Sequence, residues 1–160
     1  MTILLLVAAT AWCMGIVWIT APSLVRGHSR ANFDLSGDPR IGSTVGMTGK
    51  DIHGRFLPGK EKIILVVAAS CSSCQSKSLD NVALFRGAKL PVIIAFPDNT
   101  EDLRTYFPKP SPKTFIISDR GGSISSRLNV LWNPRMFIIE HGKLVRIQRE
   151  PRQSLSEFLK

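Results

Sequence analysis

Seven consecutive apolar residues, Ile63-Ile64-Leu65-Val66-Val67-Ala68-Ala69, run into Ser70 and then Cys71-Ser72-Ser73-Cys74. Unbroken hydrophobicity over so short a run predicts a strand buried on both faces, as in a parallel sheet covered by helices on either side. The residues that follow keep the alternation such a sheet needs. A helix is expected over 72–86, with Leu79, Val82, Leu84 and Phe85 as its apolar face and Gly87 beyond its end. Residues 90–96 form the next strand. Asn99 or Thr100 caps a short helix with Glu101 and Asp102 in its first turn, which Pro108, Pro110 and Pro112 stop. A short strand follows over 114–118, then a turn at Gly121-Gly122 and a helical stretch over 123–129. Met136–Ile139 and Leu144–Ile147 flank Glu140-His141-Gly142-Lys143, a hairpin signal, and Ser154–Lys160 reads as a terminal helix. Two parallel units followed by an antiparallel hairpin give an α/β fold with a mixed central sheet flanked by helices.

The cysteine pair carries the chemistry. At a strand-to-helix junction, Cys71 falls in the first helical turn, where unpaired N–H groups and the helix dipole favour its thiolate. A thiolate attacks a disulfide sulfur far better than a thiol does. Cys74, one turn later on the same face, can resolve the resulting mixed disulfide. A bare C-x-x-C says little, whereas one at a strand-to-helix junction in a β-α-β pattern points to redox chemistry. The other reading of the pair is a structural disulfide in a redox-inactive binding module.

The first part of the chain is different in kind. Residues 2–25 contain no charged side chain, so the whole formal net charge of +9 lies in residues 26–160. A helix of about 23 apolar residues is about 34 Å long, enough to span a bilayer. Trp12 and Trp18 suit such a segment, and Pro22 ends it. The stretch lacks the basic start and well-placed small-x-small site of a cleaved signal peptide, and the polar face of a buried soluble helix. The expected organisation is a transmembrane anchor over 1–25, a tether over 26–42 and a soluble domain over 43–160, which is of ordinary domain size.

Composition closes off other classes. Apolar residues make up 44% and charged residues 21%, which excludes a disordered chain, and three cysteines exclude a disulfide-dense scaffold. The basic residues form no Arg/Lys stripe with stacking aromatics, so no nucleic-acid partner is expected. A zinc site needs about four ligands; the domain has two cysteines, while His53 and His141 fall in predicted turns and read as solvated. No metal and no cofactor are expected.

Residues 43–150 resemble the membrane-anchored thioredoxin-like proteins of the TlpA/ResA type, in the redoxin superfamily. The likeness rests on the turn Lys50-Asp51-Ile52-His53-Gly54-Arg55, on IILVVAAS with its C-x-x-C, on VIIAFPDN, on Ser118-Asp119 with Gly121-Gly122, and on the block from Asn133-Pro134 to Leu144-Val145. It implies a thioredoxin-like fold and a thiol–disulfide oxidoreductase that reduces or isomerises disulfides of exported proteins. Pro134 would be the family's cis-proline facing the redox pair, and Asn133 would offer its backbone to an extended client strand. With Ser70, Ser72 and Ser73 around the cysteines, these residues make the expected client-binding surface.

The sequence departs from the family in having Ser70 where a tryptophan is usual, Ser72-Ser73 between the cysteines, and Leu65 where thioredoxins bury an acid. Ala68 stands where a peroxiredoxin needs threonine. The C-x-x-C spacing is one residue short of the related copper-delivery proteins. The implied partners are disulfide-bearing or dithiol clients and a membrane-bound electron donor, with the protein itself a monomer. Arg26 and Arg30 after the apolar stretch would hold the domain in the cytoplasm by the positive-inside rule. The resemblance places it outside, in a bacterial periplasm. Long domains translocate despite flanking charge, so the extracytoplasmic side is expected.

Overall fold

The computed structural model describes residues 33–70, 85 and 88–160. Residues 2–25 and all of the expected helix over 72–86 except Phe85 lie outside that set. Among the described residues no helix is long and apolar enough to cross a membrane.

Among the described residues, five strands and three short helices are bounded, in order: β1 (Ile63–Val67), β2 (Val92–Phe96), α1 (Thr100–Tyr106), β3 (Thr114–Ser118), α2 (Ser123–Arg127), β4 (Arg135–Glu140), β5 (Lys143–Ile147) and α3 (Leu155–Leu159). They make one mixed sheet in the order β3-β2-β1-β4-β5. β1 pairs in parallel with β2, and β2 with β3, while β4 runs antiparallel to both β1 and β5. The expected strand over 63–69 stops at Val67, and Leu90 and Pro91 lie outside β2. Proline has no N–H to give a ladder, which suits its place just before the strand.

The unbroken hydrophobicity of β1 has a direct structural cause. Its alternate residues point to opposite faces, and both faces are covered. Ile64 and Val66 join a cluster with Ile94, Phe96, Leu103, Phe107 and Phe158 on one side of the sheet. Ile63, Leu65 and Val67 join Ile93, Phe137, Val45, Leu128 and Leu144 on the other. Phe85, helical and 5% exposed, packs into the first cluster.

The ends of the elements follow local chemistry. Asn99 caps α1 by accepting from the Asp102 N–H, and Ser154 caps α3 in a reciprocal capping box with Glu157. Glu140 pairs with Lys143, leaving a two-residue loop in which His141 and Gly142 both have positive φ, at 51° and 72°. That is the backbone a tight hairpin requires, and glycine supplies half of it without steric cost.

The compact unit that contains the sheet begins at Asp34. Residues 34–42 are therefore part of it. Leu35–Gly37 form a 3₁₀ turn capped by Asp34. The Gly42 N–H donates to Leu144 O, Leu144 N–H to Ser43 O and Val45 N–H to Gly142 O. These bonds cover the start of the outer edge of β5, where backbone groups would otherwise be unpaired.

Candidate functional site at the carboxyl end of β1

The chain leaves β1 at its carboxyl end through Ala68, Ala69 and Ser70. Ala68 is still tied to the sheet, its N–H donating to Ala95 O at 2.9 Å. From here the connection runs to β2 and β3 on one side, and the chain later crosses to β4 on the other. β1 is thus the point at which strand order reverses. In open α/β sheets the crevice outside the carboxyl ends of strands at such a point is where ligands bind.

Two loops flank that crevice. On the β4 side, Val67 pairs with Arg135, so Asn133 and Pro134 lie immediately before the residue opposite the end of β1. The Asn133–Pro134 peptide is cis, as the resemblance implied. On the β2 side, Pro97 and Asp98 leave the sheet. The Ser70 hydroxyl donates to Asp98 Oδ1 at 2.6 Å, and the Ser118 hydroxyl donates to the Asp98 carbonyl at 2.6 Å. Of the predicted site residues, Ser70, Asn133 and Pro134 are thereby brought to one end of the sheet. Cys71, Ser72, Ser73 and Cys74 lie outside the described residues.

Behind Pro134, Arg135 is fully buried. Its guanidinium makes a two-pronged pair with Asp38, Nη1 to Oδ1 at 2.8 Å and Nη2 to Oδ2 at 2.6 Å. It also donates to the carbonyls of Asn129 and Gln148, and it stacks 4.4 Å from the Trp132 ring centroid. A planar, permanently charged fork is suited to so many simultaneous acceptors, which lysine is not. Gln148 completes the cluster: its Oε1 accepts from the Met136 N–H at 2.9 Å, and its Nε2 donates to Glu150 O. The start of β4, and with it the position of Pro134, is held by polar contacts on three sides.

The turn Lys50–Arg55 has the structure its sequence suggests. Asp51 Oδ1 accepts from the N–H groups of His53 and Arg55, and Gly54 takes a φ of 81°. The Arg55 side chain bonds Asp51, Ser111 O and Thr114 O, and so clamps the turn to the start of β3. His53 departs from the expectation of a solvated histidine. It is half-buried and its Nε2 is buried with no hydrogen-bond partner. A cleft of about 220 Å³ at the β3 edge, lined by residues including Lys50, Thr100, Ser118 and Ile124, contains none of the predicted site residues.

Asp98 and Arg135 lie in segments that carry the resemblance, but the sequence gives no sign of the contacts they make, and Asp38 falls in the expected tether. Asp38 lies 97 positions from its partner, too far for any local pattern to link them.

No protein-family model matches this chain, and no curated protein matches it either. Several solved structures do. A protein described as a thiol:disulfide interchange protein, DsbE, from Chlorobium tepidum aligns over 73% of this chain and 92% of its own, with 16% identity and a TM-score of 0.51. StoA from Bacillus subtilis aligns over 76% and 100%, with 15% identity and a TM-score of 0.50. A peroxiredoxin-like protein from Aquifex aeolicus aligns over 71% and 78%, with 14% identity and a TM-score of 0.54. At these identities the likeness is one of fold: the chain has the thioredoxin-like α/β fold, with a mixed five-stranded sheet and flanking helices.

Proposed function

We propose that this protein is a thiol–disulfide oxidoreductase, tethered to a membrane through residues 2–25, with its folded domain on the extracytoplasmic side. Cys71 is the attacking thiolate and Cys74 the resolving one. Ser70, Ser72, Ser73, Asn133 and Pro134 form the client-binding surface. The observation that supports this reading is the β1–β4 register, in which Arg135, the residue after the cis Asn133–Pro134 peptide, pairs with Val67, the last residue of β1 and four before Cys71. The solved structure of the same fold described as a thiol:disulfide interchange protein supports it.

The exchange balances without any added group. The Cys71 thiolate attacks one sulfur of a client disulfide. A bond forms between Cys71 Sγ and that sulfur, the client's own S–S bond breaks, and the departing client thiolate takes a proton. The Cys74 thiolate then attacks Cys71 Sγ and expels the second client thiolate, which is protonated in turn. Two electrons and two protons pass from the pair to the client, and a membrane-bound dithiol donor restores the reduced pair. An extended client segment can hydrogen-bond along the backbone beside Pro134, which gives affinity without demanding a particular sequence.

The reduction potential tests this directly. Equilibration of the full chain with glutathione should place the Cys71–Cys74 couple above about −300 mV, in the range of exchangeable disulfides. A couple resistant to the glutathione pool would instead identify a structural bridge in a binding module of the same fold.

A further inference from the structure

We infer that Asp38 is a positioning residue for the client-binding loop: the segment 34–42 straps down the residue after Pro134, and so sets how well Asn133-Pro134 takes an extended client. The inference rests on the assignment of Asn133 and Pro134 to client binding. The strap is built to present one carboxylate. Asp34 Oδ1 accepts from the Ser36 N–H at 2.9 Å and the Asp38 N–H donates to Leu35 O at 3.0 Å, so the turn over Leu35–Gly37 fixes the backbone at Asp38. Beyond Asp38, the Ser43 N–H and hydroxyl both return to Arg40 O, and the Gly42 N–H donates to Leu144 O. The strap is thereby pinned to β5 at one end and to the start of β4 at the other.

Asp38 grips both ends of the loop that carries Asn133 and Pro134. Its two oxygens accept from the Arg135 guanidinium, and Oδ1 also accepts from Asn129 Nδ2 at 2.9 Å. Arg135 Nη1 donates to Asn129 O, which closes the segment 129–135 at its base, and the Trp132 ring lies against the guanidinium. Gly37 packs on the same asparagine: a Cβ at Gly37 would lie 3.1 Å from Asn129 Nδ2, closer than side chains normally approach. The strap therefore has room for glycine there, and a larger residue pushes Asn129 away from Asp38.

The sheet itself does not hold the client-binding residues. The ladder between β4 and β1 begins at Arg135, so Asn133, which is exposed, and Pro134, which is half-buried, lie just outside it. What fixes them is the closed base of the loop. Removing the Asp38 charge takes away the two-pronged partner of a buried guanidinium and loosens that base. A loop already ordered binds an extended segment without the cost of ordering itself. A small disulfide with no peptide backbone does not call on the loop in this way, so the effect belongs to extended clients.

The test compares two disulfides reduced by the full chain, an extended peptide with one internal disulfide and hydroxyethyl disulfide. Asp38→Asn keeps the side-chain shape and removes the charge. It should raise KM for the peptide about tenfold, the cost of ordering one backbone residue on binding, with kcat and the rate on hydroxyethyl disulfide unchanged. Gly37→Ala should move the same KM in the same direction by less, and it decides the matter if Asp38→Asn does not fold. Leu103→Ala opens a cavity in the core on α1, away from the strap; it should lower the urea midpoint and leave the peptide KM as it is. An unchanged peptide KM in the folded strap variants, or an equal rise in Leu103→Ala, overturns the role of Asp38. Failure of the wild-type chain to reduce either disulfide overturns the oxidoreductase reading instead. The affinity for the same peptide, read by fluorescence anisotropy, then decides: weaker binding in Asp38→Asn upholds the role of Asp38, and equal binding, or none by the wild type, overturns it.

Discussion

Arg135 shows how much a single side chain can be asked to hold. A guanidinium with no exposure to water is tolerated only because its donors are met by Asp38, Asn129 O and Gln148 O and its faces by Trp132 and Phe137. Removing one partner leaves a buried charge uncompensated. Asp38→Ala should therefore cost about 3 kcal/mol of folding stability, read as a lowered urea midpoint with an unchanged slope. An Asp38→Ala protein as stable as wild type would mean that water reaches the guanidinium. None of this was legible in the sequence. A charged residue opening an apolar strand reads as exposed, and nothing local to Asp38, in a stretch that reads as a tether, points to a partner 97 residues on. Ser70 draws attention by its place before Cys71, and Asp98 lies within VIIAFPDN, but nothing in either segment shows that the two side chains meet.

At the scale of elements, α2 is the instructive case. It is five residues long, and its N-cap position is Gly122, in the left-handed region with no side chain to cap the first turn. Asp119 does the capping from outside the helix: its carboxylate accepts from the N–H groups of Ile124 and Ser125 and from the Ser125 hydroxyl. Burial acts to raise the Asp119 carboxyl, but the bonds from Ile124, Ser125 and Ser123 outweigh it and hold it below the ordinary carboxylate range. The unfolded chain then takes up a proton before the folded one does. The stabilisation is complete above the unfolded value of about 3.9 and drains away as pH falls through the lower, folded value. Acid titration of stability should be flatter in Asp119→Asn than in wild type across that interval; equal slopes would show that the cap bonds do not favour the ionised form.

The strands, by contrast, were readable because their physics is local. β1 is apolar at every position because both of its faces are buried, and the β4–β5 turn is written in His141-Gly142. What could not be read was where β1 stops. Ala68 and Ala69 continue the hydrophobic run, but β1 ends its ladder with β4 at the Val67–Arg135 pair, and Pro134, the residue before Arg135, has no N–H to carry that ladder on.

At the largest scale, the two core clusters run, among the described residues, from Val45 to Phe158, while the polar contacts that anchor β4 reach back to Asp38. Residues 34–160 alone should therefore unfold cooperatively in urea, and residues 43–160 should fold but with a midpoint lowered to a similar extent as in Asp38→Ala. Equal midpoints for the two fragments would remove residues 34–42 from the folded unit. If the apolar stretch 2–25 serves only to raise the local concentration of donors and clients, the 34–160 fragment should match the full chain in insulin reduction while failing to replace it in cells.

The central claim is that Cys71 attacks and Cys74 resolves, and trapping tests it most directly. In Cys74→Ser, the mixed disulfide with a client cannot be released, so incubation with a disulfide-bearing peptide followed by mass spectrometry should find the peptide joined through Cys71. In Cys71→Ser no such adduct should accumulate. Adducts through Cys74 in Cys71→Ser at a rate equal to those through Cys71 in Cys74→Ser, or none in either variant, would contradict the account.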